Sequence, residues 1–76
     1  MSSIQSIVFS IEQGWKPLFA RRWLREHNFH PIKAVDRRVK GQLRYRLQEP
    51  TKFHRFITKS LKGGINLVIG VKRTID

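Results

Sequence analysis

The stretch from Gln42 to Gln48 alternates residue by residue between polar and apolar side chains. Leu43, Tyr45 and Leu47 share one parity; Gln42, Arg44, Arg46 and Gln48 share the other. A period of two fits an extended strand with one buried face. It does not fit a helix, whose apolar positions recur at three and four. The apolar face of such a strand needs a cover, and this chain of 76 residues must supply it from within a single domain, 1–76, with a modest core.

The cover is legible upstream. Residues 16–29, KPLFARRWLREHNF, read as a helix. Pro17 suits a first helical turn, where its missing N–H costs nothing. Phe19, Ala20, Trp23, Leu24 and His27 follow the spacing of one buried stripe. Lys16 is a poor N-cap, Asn28 is a stop signal, and Pro31 forbids continuation.

The other elements are strands. Residues 3–11 form a first strand. Ile7, Phe9 and Ile11 lie on one parity and Ile4 and Val8 on the other, which places it inside the sheet with both faces partly buried. Residues 32–37, IKAVDR, read as a short second strand, joined to the alternating stretch by a hairpin turn at Gly41. Pro50 opens one helical turn, after which Phe53 and Phe56 point to the same side. Residues 56–61 alternate weakly, Gly63 and Gly64 mark the tightest turn, and Ile65, Leu67, Ile69 and Val71 line one face of the last strand. Gly70, on its other face, marks a bulge or a close backbone approach.

The expected fold class is therefore α+β: a four- or five-stranded, mainly antiparallel sheet with one main helix packed on one face. Phe9, Trp23, Leu24, Leu43, Tyr45, Leu47, Leu67 and Ile69 form the layer between helix and sheet. The opposite face, carrying Arg44 and Arg46, meets water.

Charge directs the functional reading. Sixteen Lys and Arg against five acids give a formal net charge of +11. Self-repulsion at that charge opposes compactness, and an anionic partner relieves it. The chain has no cysteine, which excludes disulfides, Cys-ligated zinc and thiol catalysis. The acids are scattered, the serines are isolated, and no glycine-rich phosphate loop is present, so neither an enzyme nor a bound cofactor is expected. His27 and His30 are three apart without acidic or Cys partners, so no metal site is expected either. No apolar run reaches the ~20 residues of a membrane span. The N-terminus lacks the basic and apolar regions of a signal peptide. An intracellular site, in cytoplasm or nucleus, or a virion interior fits these features.

Nucleic acid, met through its phosphate backbone, is the first partner expected. Basic residues cluster on the helix (Arg21, Arg22, Arg25), at the hairpin turn (Arg37, Arg38, Lys40), on the alternating strand (Arg44, Arg46) and at the end (Lys72, Arg73). Lys33, Arg37, Arg38, Arg44, Arg46 and Lys72 are the candidate phosphate contacts, with Arg21, Arg22 and Arg25 as a second patch. Six such contacts give a log–log salt slope of roughly −5. Trp15, Phe29 and Phe53 are the candidate exposed rings. With the other aromatics in the core, phosphate-directed, sequence-nonspecific binding is favoured over base stacking. The alternative is a structural or assembly protein whose basic surface meets acidic viral structural proteins, or which self-associates through a strand edge, the last strand being the candidate.

Several segments together, SIQSIVFS, ARRWLREHNFHPIK, LRYRLQEPTKFHRFITKSL and GINLVIGVK, resemble a group of short basic proteins and segments encoded by large DNA viruses and tailed phages. The likeness runs from about Ser3 to Lys72. Its combined pattern is an Ala-Arg-x-Trp-Leu helix, an aromatic-flanked arginine strand and a Gly-Ile strand ending in Val-Ile-Gly. It implies a viral context and the same α+β layout, with no catalytic residues to carry over. Lys16-Pro17 departs from the Thr or Ser that such sequences place before the helix.

Overall fold

The computed structural model describes residues 2–72. Four strands, β1 (Ser2–Ser10), β2 (Gln42–Arg46), β3 (Arg55–Leu61) and β4 (Ile65–Val71), form one sheet in the order β2-β1-β4-β3, antiparallel throughout. One helix, α1 (Pro17–Glu26), packs on one face. This is the expected α+β architecture. Short 3₁₀ turns at Ile11–Gln13 and Pro50–Lys52 complete it.

The register sorts side chains cleanly. Ile7 lies opposite Tyr45 and Leu67; Phe9 lies opposite Leu43 and Ile65. These residues face α1, whose Ala20 and Leu24, one turn apart, close the core. Phe9 is fully buried at its centre, with Trp15, Trp23 and Tyr45 ringed around it at centroid distances of 4.8, 5.7 and 5.7 Å. As the sequence indicated, β1 is internal and buried on both faces.

Termini and turns follow the local chemistry. Lys16 gives α1 no side-chain cap, and Pro17 occupies the first helical position. At the other end Asn28 takes φ 60°, Phe29 N–H donates to Leu24 C=O at 2.8 Å, and Asn28 N–H donates to Arg25 C=O at 3.1 Å. That pair of bonds is a Schellman ending, with Asn in the place usually held by Gly. Gly70 is the close approach anticipated on β4: the Phe53 ring lies against it, and any Cβ there would collide with the ring.

Several expectations are corrected. Residues 32–37 do not form a strand. They lie antiparallel to β2 and bond to it at Ile32 N–H to Arg46 C=O (2.9 Å) and at Asp36 to Arg44 in both directions (2.8 and 3.0 Å). Four residue steps on this segment span two on β2, so two residues bulge out and the ladder cannot continue. Phe19 and His27 are exposed rather than in the core stripe. The contact of α1 is only Ala20 and Leu24 wide, and Trp23 reaches Phe9 from the side. Ile11 is exposed because β1 ends at Ser10. The last strand, β4, is internal, so the sheet edges are β2 and β3. Trp15 is tied to the β3–β4 turn through its indole N–H, which donates to Gly63 C=O at 2.6 Å.

Candidate nucleic-acid interface

The face of the sheet away from α1 follows from the same register. Across the four strands one row runs Arg46, Ser6, Val68, Thr58; the next runs Arg44, Val8, Asn66, Ser60. Alternation places Arg44 and Arg46 on this outer face because Leu43 and Tyr45 are held on the other. The two guanidinium-bearing residues stand about 7 Å apart along the strand, close to the spacing of successive phosphates on one nucleic-acid chain. Opposite them on β1, Val8 and Ser6 are buried although α1 lies on the other face.

Three shallow hollows mark this face. One of about 350 Å³ lies beside Arg38, Gln42, Arg44 and Arg46. A second of about 250 Å³ runs from Arg44 and Arg46 past Ser6 and Val68 to Phe56. A third, of about 270 Å³, holds Lys40 and Gln42 with Glu12 at its margin. Phe56 is 45% exposed and stands edge-on to Phe53 at 5.9 Å.

A bulge fixes the end of the face. The register between β1 and β4 shifts at Gln5, whose amide N–H donates to Gln48 C=O at 2.7 Å. Leu47 N–H donates to Gln5 C=O at 2.7 Å. The Gln48 amide returns bonds to the Ser3 hydroxyl and Ile4 C=O at 3.0 and 3.1 Å. Gln5 is thereby buried with its amide satisfied, and the chain leaving β2 is pinned to β1.

The candidate cations do not all share this face. Arg44 and Arg46 are together on it. Arg38 is at its margin, but its guanidinium is clasped by Asp36 at 2.7–3.1 Å. Arg38 N–H also donates to Asp36 at 2.9 Å. These hydrogen bonds hold the Asp36 carboxyl at about 2, well below its usual value, with the Arg38 and Arg44 charges adding to the effect. The clasp raises the pKa of Arg38 in turn. Arg21, Arg25 and Lys33 gather elsewhere, around a cavity between α1 and the segment that leaves it. Lys33 there pairs with Glu49 at 3.4 Å. Arg37 is exposed in the segment that leads to β2. Arg22 is exposed on α1, and Lys72 is exposed just beyond β4. Arg73 falls outside the described residues.

The candidate rings change too. Trp15 and Phe29 are half-buried, Phe53 is buried, and Phe56 is the ring open to solvent on the arginine-bearing face. A signal for this was available: counting back from Gly63-Gly64, a hairpin pairs position 56 with Gly70, on the parity of Thr58 and Ser60. Lys40 and Gln42 also join Arg44 and Arg46, and neither was among the residues selected. Among the described residues, no group of three His, Asp or Glu is placed to hold a metal ion. Among the same residues, no helix is long and apolar enough to cross a membrane.

Compared with known protein families, curated proteins and solved structures, the chain finds no match in any of the three. The likeness to viral basic proteins rests on the quoted segments alone.

Proposed function

We propose that the chain binds nucleic acid, DNA first, without sequence specificity, through the outer face of its sheet. What supports this most is the arrangement of Arg44 and Arg46. They project side by side from a face of small and neutral residues, and neither forms an ion pair among the described residues. Backbone contacts of this kind carry affinity without reading bases. With Lys40 they make three available cations on that face, so the salt slope is about −2 to −3 rather than −5. Phe56 adds a stacking platform about 16 Å from Arg46, three strand spacings across the sheet and one two-residue step along β3. It favours single strands, whose bases are free to stack. The viral setting follows from the sequence resemblance only.

The test is fluorescence anisotropy of labelled single-stranded and duplex DNA over a salt series. The expected result is binding measurable near physiological salt, tighter for the single strand, with the slope just given. Binding to neither form near physiological salt would overturn the proposal.

A second reading, assembly with an acidic protein strand, draws on β3. Every residue of this edge strand is exposed, with Ile57 and Leu61 alternating with Arg55 and Lys59. An added strand with acids opposite those cations would complete the edge. Co-purification of a stoichiometric acidic protein that survives high salt would favour it over the first.

A further inference from the structure

A hollow larger than the three on the outer face lies on the other side of the sheet from Arg44 and Arg46. It is a cavity of about 520 Å³ between the C-terminal half of α1 and the segment 29–35. That size is within the range of small-molecule sites, ~300–1,000 Å³. Its walls are apolar, from Leu24, Phe29 and Val35, and Tyr45 contributes to the lining. Arg21 and Arg25 belong to the same lining and are exposed, whereas Leu24 and Tyr45 are buried, so the cations stand at the mouth.

Tyr45 is 2% exposed, and its hydroxyl is the one buried side-chain polar atom among the described residues without a hydrogen-bond partner. Buried hydroxyls in native structures are nearly always bonded, and leaving one unmade is costly. Burial pushes its pKa up, while the nearby Arg21 and Arg37 charges act the other way. Tyr45 and Arg21 line the same cavity, and of the two mouth arginines it is Arg21 whose charge acts on the Tyr45 hydroxyl.

An apolar slot, an unpartnered hydroxyl and two arginines without an acid partner among the described residues ask for a particular ligand. It has a flat body, a hydrogen-bonding ring edge and one anionic group. We propose that this cavity binds a single nucleotide unit, with the base against Phe29 and Val35, its edge bonded to the Tyr45 hydroxyl, and its phosphate between Arg21 and Arg25. The choice of a nucleotide among amphipathic anions rests on the nucleic-acid reading. The cavity itself does not.

The experiment titrates the four deoxynucleoside 5′-monophosphates, the matching nucleosides and inorganic phosphate into the full chain. Chemical shifts of Leu24, Phe29 and Val35 are followed by NMR. The expected result is saturable binding of at least one monophosphate, with its nucleoside and inorganic phosphate each weaker by about tenfold or more. Tyr45→Phe is expected to weaken that monophosphate about tenfold while leaving the thermal midpoint unchanged or higher, because the substitution removes an unsatisfied group. Arg25→Gln is expected to bring the monophosphate down to the level of its nucleoside. Saturation by none of the four, equal binding of inorganic phosphate, or undiminished binding to Tyr45→Phe would overturn the proposal. The two readings fail separately. DNA binding without any monophosphate binding removes the cavity site and keeps the outer face; monophosphate binding without DNA binding does the reverse.

Discussion

The two edge strands of one sheet have opposite fates. In β2, Leu43 and Tyr45 are buried under α1, Arg44 and Arg46 are half-buried, and the segment 32–36 partly shields the edge. In β3, all seven residues are exposed. Both strands carry two basic residues. The difference is what reaches them. The core that includes Ala20 and Leu24 of α1 is built from residues of β1, β2 and β4, and none comes from β3. Stability is therefore concentrated at one end, and the β3 end is left as surface. Arginines on β2 are held by a packed strand, whereas cations on β3 ride on an edge with little beneath it.

The contrast is broken most severely by a core truncation. Phe9→Ala removes the ring on which Trp15, Trp23 and Tyr45 converge, and a loss of about 3–5 kcal/mol is expected, enough to unfold much of a marginal domain. Ile57→Ala on β3 is expected to shift stability by about 0.5 kcal/mol or less. Urea denaturation of the two variants, followed by tryptophan fluorescence, measures both. Equal losses would mean that β3 is packed as firmly as β1.

Next in size is Gly70→Ala. The added methyl meets the Phe53 ring, so the ring is displaced from the outer face of β4. A cost of about 1–3 kcal/mol is expected, read as a lowered thermal midpoint. Combining it with Phe53→Ala, which empties the space, should recover part of that loss.

Phe56→Ala separates stacking from charge. Single-stranded DNA should lose about 1–3 kcal/mol of binding, and duplex affinity should stay nearly unchanged. An equal loss for both forms would remove Phe56 as a stacking platform.

The smallest effect is expected at the Asp36–Arg38 clasp. The carboxyl pKa is depressed in the folded chain to about 2, so the clasp contributes above the ordinary carboxyl value near 3.8. Its contribution is lost as pH falls through that value toward 2. No change from this group is expected between neutral pH and pH 5. Asp36→Asn frees Arg38 at the margin of the outer face, so DNA binding should tighten, with the salt slope steeper by about one. Unchanged affinity would place Arg38 outside the contact.

Much of the fold could be read from local pattern. The period-two run at 42–48 identified β2 and its two faces, and two-sided hydrophobicity identified β1 as internal. Pro17 and Asn28 bracketed the helix. What failed depended on distant partners. Ile32 and Val35 look like strand residues, but a mismatch of two residues against β2 breaks the ladder, and register is not a local property. Phe19 fits the helical stripe, yet the residues by which α1 meets the sheet are Ala20 and Leu24, with Trp23 at the side. The position of β4 between β1 and β3 depends on pairing order, which periodicity does not encode.

The candidate site divides the same way. Arg44 and Arg46 were readable because strand alternation fixes their face. Arg21, Arg25 and Lys33 were visible only as charge, and only the return path of residues 29–35 brings them around a cavity. The Asp36–Arg38 clasp lay within reach of the sequence, since an Asp two residues before an Arg in a turn can take both its backbone N–H and its side chain.

Position, rather than total charge, is what the proposed interface depends on. It is tested most directly by two matched double reversals, Arg44→Glu with Arg46→Glu and Arg22→Glu with Lys72→Glu. Both lower the net charge of +11 by the same amount. With both variants shown to be folded by circular dichroism, their affinity for single-stranded DNA is compared at one salt concentration. The β2 pair is expected to lose about tenfold or more beyond the loss of the other pair, the equivalent of at least ~1.4 kcal/mol. Equal losses would show that DNA responds to the overall charge and that the outer face of β2 is not the binding surface.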